Sequence, residues 1–223
     1  MPQTPAPSAA DDPRLDLVTA TVDLGDRRLA YVHPRDAAAL PPEDDPAGGA
    51  AYPPHWAEPW PSGIALARAV VERDWSGAAV LELGCGLGLP SVAAALAGAH
   101  VVATDRSADA VAFAAVNAEC NGVAVETAVC AWDDAGAVVD RGPWRLVLAA
   151  DVLYGHRNVT ELLDLLPRLV DDDGEVWIAD PQRPDAKEFL AAARRGWRSV
   201  ESLSGGAPGI RIHRLAGPCS RPS

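Results

Sequence analysis

Two alternating apolar runs, residues 15–22 and 27–32, open the readable pattern, and Leu24-Gly25-Asp26 supplies a turn between them. That combination predicts a β-hairpin. Residues 33–54 are rich in Pro, Asp, Ala and Gly and read as a loop. From Pro61 the period lengthens. Ile64, Leu66, Ala67, Val70 and Val71 recur at helical spacing, and a proline is harmless in a first helical turn.

Beyond this helix, short apolar runs alternate with helical patterns. Strands are expected at 78–83, 101–104, 123–129, 144–150 and 175–179. Helices are expected at 89–97, from a cap at Ser107 to about Asn121, at 159–170 and at 185–195, with Gly122 ending the second. The runs 200–203 and 210–215 have no helix between them and would add antiparallel strands at one edge. Strands alternating with helices imply an α/β, Rossmann-like domain: a mostly parallel sheet with helices on both faces, plus the N-terminal β-hairpin. The expected organisation is a disordered leader at 1–14, a hairpin and loop extension at 15–54, one domain at 55–217 and a tail at 218–223.

Composition narrows the function classes. The chain has 223 residues, enough for one sizeable core. A net charge of −12 argues against a nucleic-acid partner, which calls for a basic face, and suits a cationic substrate or a basic partner. No apolar run reaches the roughly 18 residues of a membrane span. The first ten residues lack a basic region followed by an apolar one, so a secretory signal is not expected and a cytoplasmic protein is. Cys85, Cys120, Cys130 and Cys219 form no CxxC pair, and the five histidines show no ligand spacing, so no metal site is expected. His156 reads as a solvated histidine at a helix start. Lys187 is the only lysine among 19 basic residues.

The sharpest chemical signal is Leu81-Glu82-Leu83-Gly84-Cys85-Gly86-Leu87-Gly88, where a strand ends and a helix begins. Glycines there let the backbone turn tightly and approach a ligand closely. Leu89 occupies the place where the dinucleotide fingerprint needs a small residue, so a bound pyrophosphate is disfavoured. Asp105 ends the next strand, where a carboxylate can accept both hydroxyls of an adenosine ribose. S-adenosylmethionine (SAM) has the ribose and no phosphates. The plain alternative is a tight β–α turn with Asp105 as a helix cap.

Here the chain resembles the class I, seven-β-strand SAM-dependent methyltransferases, through the segment 80–88 and the acid at Asp105. Two further stretches narrow the resemblance. Asp151-Val152-Leu153-Tyr154 follows an apolar strand, and His55-Trp56-Ala57-Glu58-Pro59-Trp60-Pro61-Ser62-Gly63 precedes the first helix. Together they resemble the family 16 protein-lysine methyltransferases, over roughly residues 52–185. Within that family the tryptophan block and Ile178-Ala179-Asp180-Pro181-Gln182-Arg183-Pro184 are most similar to the electron-transfer-flavoprotein β-subunit lysine methyltransferases, whose bacterial relatives have also been called nicotinamide N-methyltransferase-like. Ala179 stands where that pattern has Gly.

The resemblance implies a site. Glu82, Gly84, Gly86 and Gly88 would line the methionine end of SAM, and Asp105 would hold the ribose. Trp60 would lie against the cofactor, Trp132 would pack on the adenine and Ala150 would touch the cofactor through its backbone. Asp151 and Tyr154 would face the methyl acceptor, a lysine of a protein substrate. For Trp56 and Trp60 the alternative is a core aromatic, for Trp132 a loop anchor, and for Tyr154 a packing residue. Asp151 is harder to explain structurally, since a carboxylate directly after five apolar residues is costly to bury without a partner.

Three rivals stay open. A small-molecule N- or O-methyltransferase acting on an amine is the serious enzymatic one, a non-catalytic SAM-binding protein comes from another class, and an NAD-linked oxidoreductase is disfavoured by Leu89. A nucleobase methyltransferase would carry Asp/Asn-Pro-Pro-aromatic where this chain has Asp151 to Tyr154. A monomer is expected.

Overall fold

The computed structural model describes residues 15–43 and 51–219. The expected leader, part of the 33–54 loop and the last four residues lie outside them.

The chain begins with the hairpin of β1 (Leu17–Asp23) and β2 (Arg28–Pro34), paired antiparallel. It passes through α1 (Pro61–Val71) into β3 (Ala79–Leu83), α2 (Leu89–Leu96), β4 (His100–Asp105), α3 (Ala108–Cys120) and β5 (Val125–Val129). A short α4 (Gly136–Asp140) precedes β6 (Leu146–Ala150), α5 (His156–Leu169), β7 (Glu175–Asp180) and α6 (Pro184–Gly196), and β8 (Trp197–Ser204) and β9 (Arg211–Pro218) follow.

Seven strands form one sheet in the order β5-β4-β3-β6-β7-β9-β8. β3 to β7 are parallel, and β9 is antiparallel to both β7 and β8. The expected α/β fold and its closing antiparallel pair are therefore present, with β9 inserted between β7 and β8.

Strand alternation sends side chains to two faces. Leu81, Leu83, Val147, Ala149, Val176 and Ile178 pack against Leu162, Leu166 and Phe189 of α5 and α6. Val80, Leu146, Leu148 and Trp177 pack against Leu66 and Val70 of α1 and Ala94 of α2. Each fully buried leucine contributes about 1.5–3 kcal/mol. Because both faces are covered, β6 reads as a continuous apolar run rather than an alternating one, and β3 does so apart from Glu82.

Several boundaries differ from the periodic reading, each for a local reason. β5 starts at Val125 rather than 123, because the Val123 N–H closes α3 on the Ala118 carbonyl. β6 starts at Leu146 rather than 144, because the Trp144 N–H is taken by the Leu169 carbonyl. α5 begins at His156, whose exposed polar first turn hides the helical period. α4 buries Val138 alone and leaves no pattern to read. Ser107 stands at the start of α3, yet its side chain makes no capping bond there.

The hairpin is fastened by two amides one helical turn apart on α3. Asn117 accepts from the Val32 N–H at 2.7 Å, and Asn121 accepts from the Ala30 N–H at 3.0 Å and donates to the Ala30 carbonyl at 2.7 Å. These side chains stand in for a neighbouring strand along β2. Asn117 also donates to the Leu87 carbonyl at 2.8 Å, tying the hairpin to the glycine turn.

Candidate functional site

β3 is the point where chain order reverses across the sheet: β4 and β5 lie to one side, β6 and β7 to the other. Ligand crevices of open α/β sheets form at such a point, beyond the carboxyl ends of the strands. Most of the expected site residues come from the ends of β3, β4 and β6 and the segments that follow them.

Gly84, Gly86 and Gly88 all adopt left-handed φ values, 64°, 51° and 75°. The reasons for glycine differ. A Cβ on Gly88 would lie 2.7 Å from the Ala114 Cβ, so glycine lets α3 close on the turn. A Cβ on Gly84 would meet Val152 Cγ1 at 3.4 Å and Trp132 Cζ2 at 3.6 Å, ordinary contact distances. Trp132 and Val152 therefore flank the turn. A Cβ on Gly86 would lie 3.2 Å from the Trp56 carbonyl oxygen.

Two carboxylates sit under and beside this turn. Asp105 is buried, and its two oxygens accept from the Gly86 N–H at 3.0 Å and the Ser107 N–H at 3.0 Å. Burial raises its proton affinity, partly offset by these two bonds. Each oxygen keeps a second lone pair for a ligand hydroxyl. Glu82 lies deeper: its carboxylate accepts from the Ser91 N–H at 2.9 Å and from the Ser91 hydroxyl. Burial pushes its pKa up to about 8. Glu82 thus anchors the start of α2 beneath the turn.

The tryptophans divide. Trp56 is a core aromatic, 5.3 Å from Phe113 between ring centroids. Trp60 is half-buried immediately before α1, its indole N–H donating to the His55 carbonyl at 2.7 Å. Gly63, one turn further on, faces Ala150 at the end of β6, with 4.0 Å between an added Cβ and that of Ala150.

Asp151 follows at once. It is 8% exposed and adopts φ 60°, unusual for a residue other than glycine. Its N–H donates to the Ala179 carbonyl at 2.9 Å. Its carboxylate is paired with Arg183, whose Nε donates to Oδ1 at 2.9 Å and whose Nη2 donates to the same oxygen. Arg183 is held by its own N–H, which donates to Asp180 at 2.8 Å. Asp180 is fully buried at the end of β7, and burial raises its proton affinity. Tyr154 is 61% exposed and stands on the open surface before α5. His156 is exposed, 3.3 Å from Glu188.

The partner of Asp151 had no readable signal in the sequence. Arg183 sits in a quoted segment, but nothing in its period or spacing aims it across 32 positions at Asp151. Likewise nothing singled out Ser91 or Asn117. Among the described residues no helix is long and apolar enough to cross a membrane.

Comparisons with known proteins bear on the family and the fold. A family model described as "Lysine methyltransferase" matches residues 58–195. The electron transfer flavoprotein beta subunit lysine methyltransferase of Danio rerio is 36% identical over 135 residues, 58% of this chain and 51% of that protein. The protein N-lysine methyltransferase METTL21A of Danio rerio is 31% identical over 147 residues, 63% of this chain and 67% of that protein. The chain spans about half the length of the first of these relatives. Among solved structures, the T. thermophilus 16S rRNA N2 G1207 methyltransferase RsmC, in complex with AdoMet and guanosine, superposes with a TM-score of 0.68 at 15% identity, covering 92% of this chain and 51% of that one. Ribosomal protein L11 methylase from Lactobacillus delbrueckii does so with a TM-score of 0.54 at 24% identity, covering 69% and 77%. These two likenesses concern the fold.

Proposed function

Because the chain belongs to the lysine methyltransferase family, we propose that it is an enzyme that uses SAM to methylate a lysine side chain of a protein substrate. The observation that carries this reading is Asp151: a carboxylate held at the carboxyl end of β6, in a left-handed conformation, with exposed Tyr154 three residues away. Backbone strain outside glycine is maintained where the surroundings over-determine it, which is typical of working sites.

The residues fit the cofactor. The glycine turn leaves Gly84 open towards Trp132 and Val152. Asp105, which accepts from the Gly86 and Ser107 N–H groups, supplies negative potential suited to a ligand carrying a sulfonium and an ammonium group. Gly84, Gly86 and Gly88 would hold the methionine end, supported from beneath by Glu82, with Asp105 on the ribose, and Trp132, Trp60 and the Ala150 backbone on the remaining surface. When bound, SAM supplies a methyl group on a positively charged sulfur, ready for in-line displacement.

The chain's own contribution is alignment and proton handling. A lysine amine ordinarily titrates near 10.4 and must be neutral to attack. Asp151 draws in the ammonium and orients the amine, with the departing proton passing to solvent at the open side. Tyr154 offers its ring face and hydroxyl to the incoming chain. An exposed tyrosine three residues after the acceptor carboxylate suits a macromolecular substrate that itself closes the crevice. The acidic surface suits a basic segment around the target lysine.

The test is transfer of labelled methyl from SAM into a lysate of the source cell, resolved by gel. The expected result is a protein band present with the wild type and absent with Asp151→Ala. Label confined to the small-molecule fraction would move the acceptor to a small amine.

A further inference from the structure

Arg183 poses a chemical puzzle at this site. A carboxylate meant to receive an ammonium ion is already paired with a guanidinium of the same chain. How that pair is made resolves it. Both bonds, from Nε and Nη2, fall on Oδ1 of Asp151. No hydrogen bond from the described residues reaches Oδ2, and Oδ2 is not among the buried atoms left without a partner. One oxygen is committed and the other remains available to a visitor.

The supports of Arg183 are built in the same sense. Its N–H is fixed by Asp180, which lies at the end of the strand beside β6. Gln182 precedes it at φ 65° and donates from its side chain to the Gly209 carbonyl at 3.1 Å. Prolines 181 and 184 bracket the segment. Asp151 and Gln182 are the two non-glycine residues with positive φ among those described, and Arg183 is the side chain that joins their strand ends.

Building on the reading of Asp151 as the acceptor-facing carboxylate, we propose that Arg183 is a positioning residue: by occupying Oδ1 it fixes the Asp151 rotamer and presents Oδ2 to the amine. The planar guanidinium is what makes this possible, because its Nε–H and Nη2–H converge on Oδ1 from two fixed directions, which a freely rotating ammonium group does not do. Arg183 itself need not touch the acceptor. Asp180 acts one step further out, by placing Arg183.

The experiment compares wild type, Arg183→Ala, Arg183→Lys and Asp151→Ala in methyl transfer from SAM to lysate proteins, with SAM affinity measured by calorimetry. Arg183→Ala should lower transfer about tenfold to a hundredfold while leaving SAM affinity unchanged. Arg183→Lys should recover only part, since it keeps the charge and loses the planar guanidinium. Ethylguanidinium added to Arg183→Ala should restore several-fold activity, and the double variant with Asp151→Ala should be no worse than Asp151→Ala alone. Full activity of Arg183→Ala, an equal loss of SAM binding, or no effect of ethylguanidinium would overturn the proposal. Label appearing only in small molecules would refute the lysine acceptor instead, and the Arg183 comparison is then read in that fraction. One readout needs no acceptor. In 15N-arginine-labelled protein the Arg183 Nε–H should exchange slowly with solvent, and lose that protection in Asp151→Ala. Exchange in the wild type as fast as that of Arg194, which is exposed and has no side-chain hydrogen bond among the described residues, would sink the proposal outright.

Discussion

On the β3–β4 side of the crevice, the left-handed backbone region is occupied by Gly84, Gly86 and Gly88. On the β6–β7 side it is occupied by Asp151 and Gln182. Glycine enters that region freely, whereas other residues meet a steric cost of roughly 1–2 kcal/mol. The first side is therefore shaped by what is missing, above all a side chain at Gly88 that would collide with Ala114. The second is shaped by functional groups that must be present at a particular place despite the strain. In the proposed reading the first side is a cofactor cradle, which asks for close backbone approach, and the second an acceptor site, which asks for a carboxylate aimed in one direction.

The largest expected effect lies on the glycine side. Gly88→Ala should cost about 2–4 kcal/mol, from left-handed strain together with overlap against Ala114. Gly84→Ala should cost only the strain, about 1–2 kcal/mol, and should weaken SAM binding instead. Urea unfolding and calorimetry on the two variants would separate them. Equal losses of stability would mean that the two glycines do the same job.

A second effect follows from Glu82. Its pKa is raised from the usual 4.5 to about 8, so the folded state holds a proton that the unfolded state releases. Stability is then fullest below pH 4.5 and declines as pH rises towards 8. Buried His213, lowered to about 4, acts in the opposite sense only below its usual 6.5. Between pH 6.5 and 8 wild-type stability should fall, with a limiting slope of about 1.4 kcal/mol per pH unit for one proton. Glu82→Gln should flatten the curve in denaturant titrations across that range.

The smallest effect belongs to the acceptor side. Gln182→Gly should raise stability by about 0.5 kcal/mol, the relief of strain exceeding glycine's greater chain entropy. A loss of more than that in thermal unfolding would show that the Gln182 bond to Gly209 outweighs the strain.

The same contrast explains what was legible in the sequence. The glycine turn and Asp105 are written locally, in a spacing that sterics impose, so that half of the site was readable. The alternation of strands with helices exposed the mostly parallel sheet and its antiparallel edge in the same way, but not the strand order. Asp151 was legible as a carboxylate ending an apolar strand, but its partner was not. The Asp151–Arg183 pair is made by two loops that the sheet brings side by side, and no local pattern carries that information. Asn117 was hidden for a similar reason: a buried amide serving three backbone groups looks, in the sequence, like any polar residue on a helix.

The insertion of β9 between β7 and β8 has a consequence for synthesis. β7 leaves the ribosome about thirty residues before β9, which is its permanent neighbour. At about 5–20 residues per second, a few seconds pass during which Val176, Trp177 and Ile178 line a finished strand with one unpaired edge. Such an edge is a template for pairing with another nascent chain. The hazard ends only when Arg211–Pro218 has been made and threaded into place, so this protein should depend on chaperones most between the synthesis of β7 and that of β9.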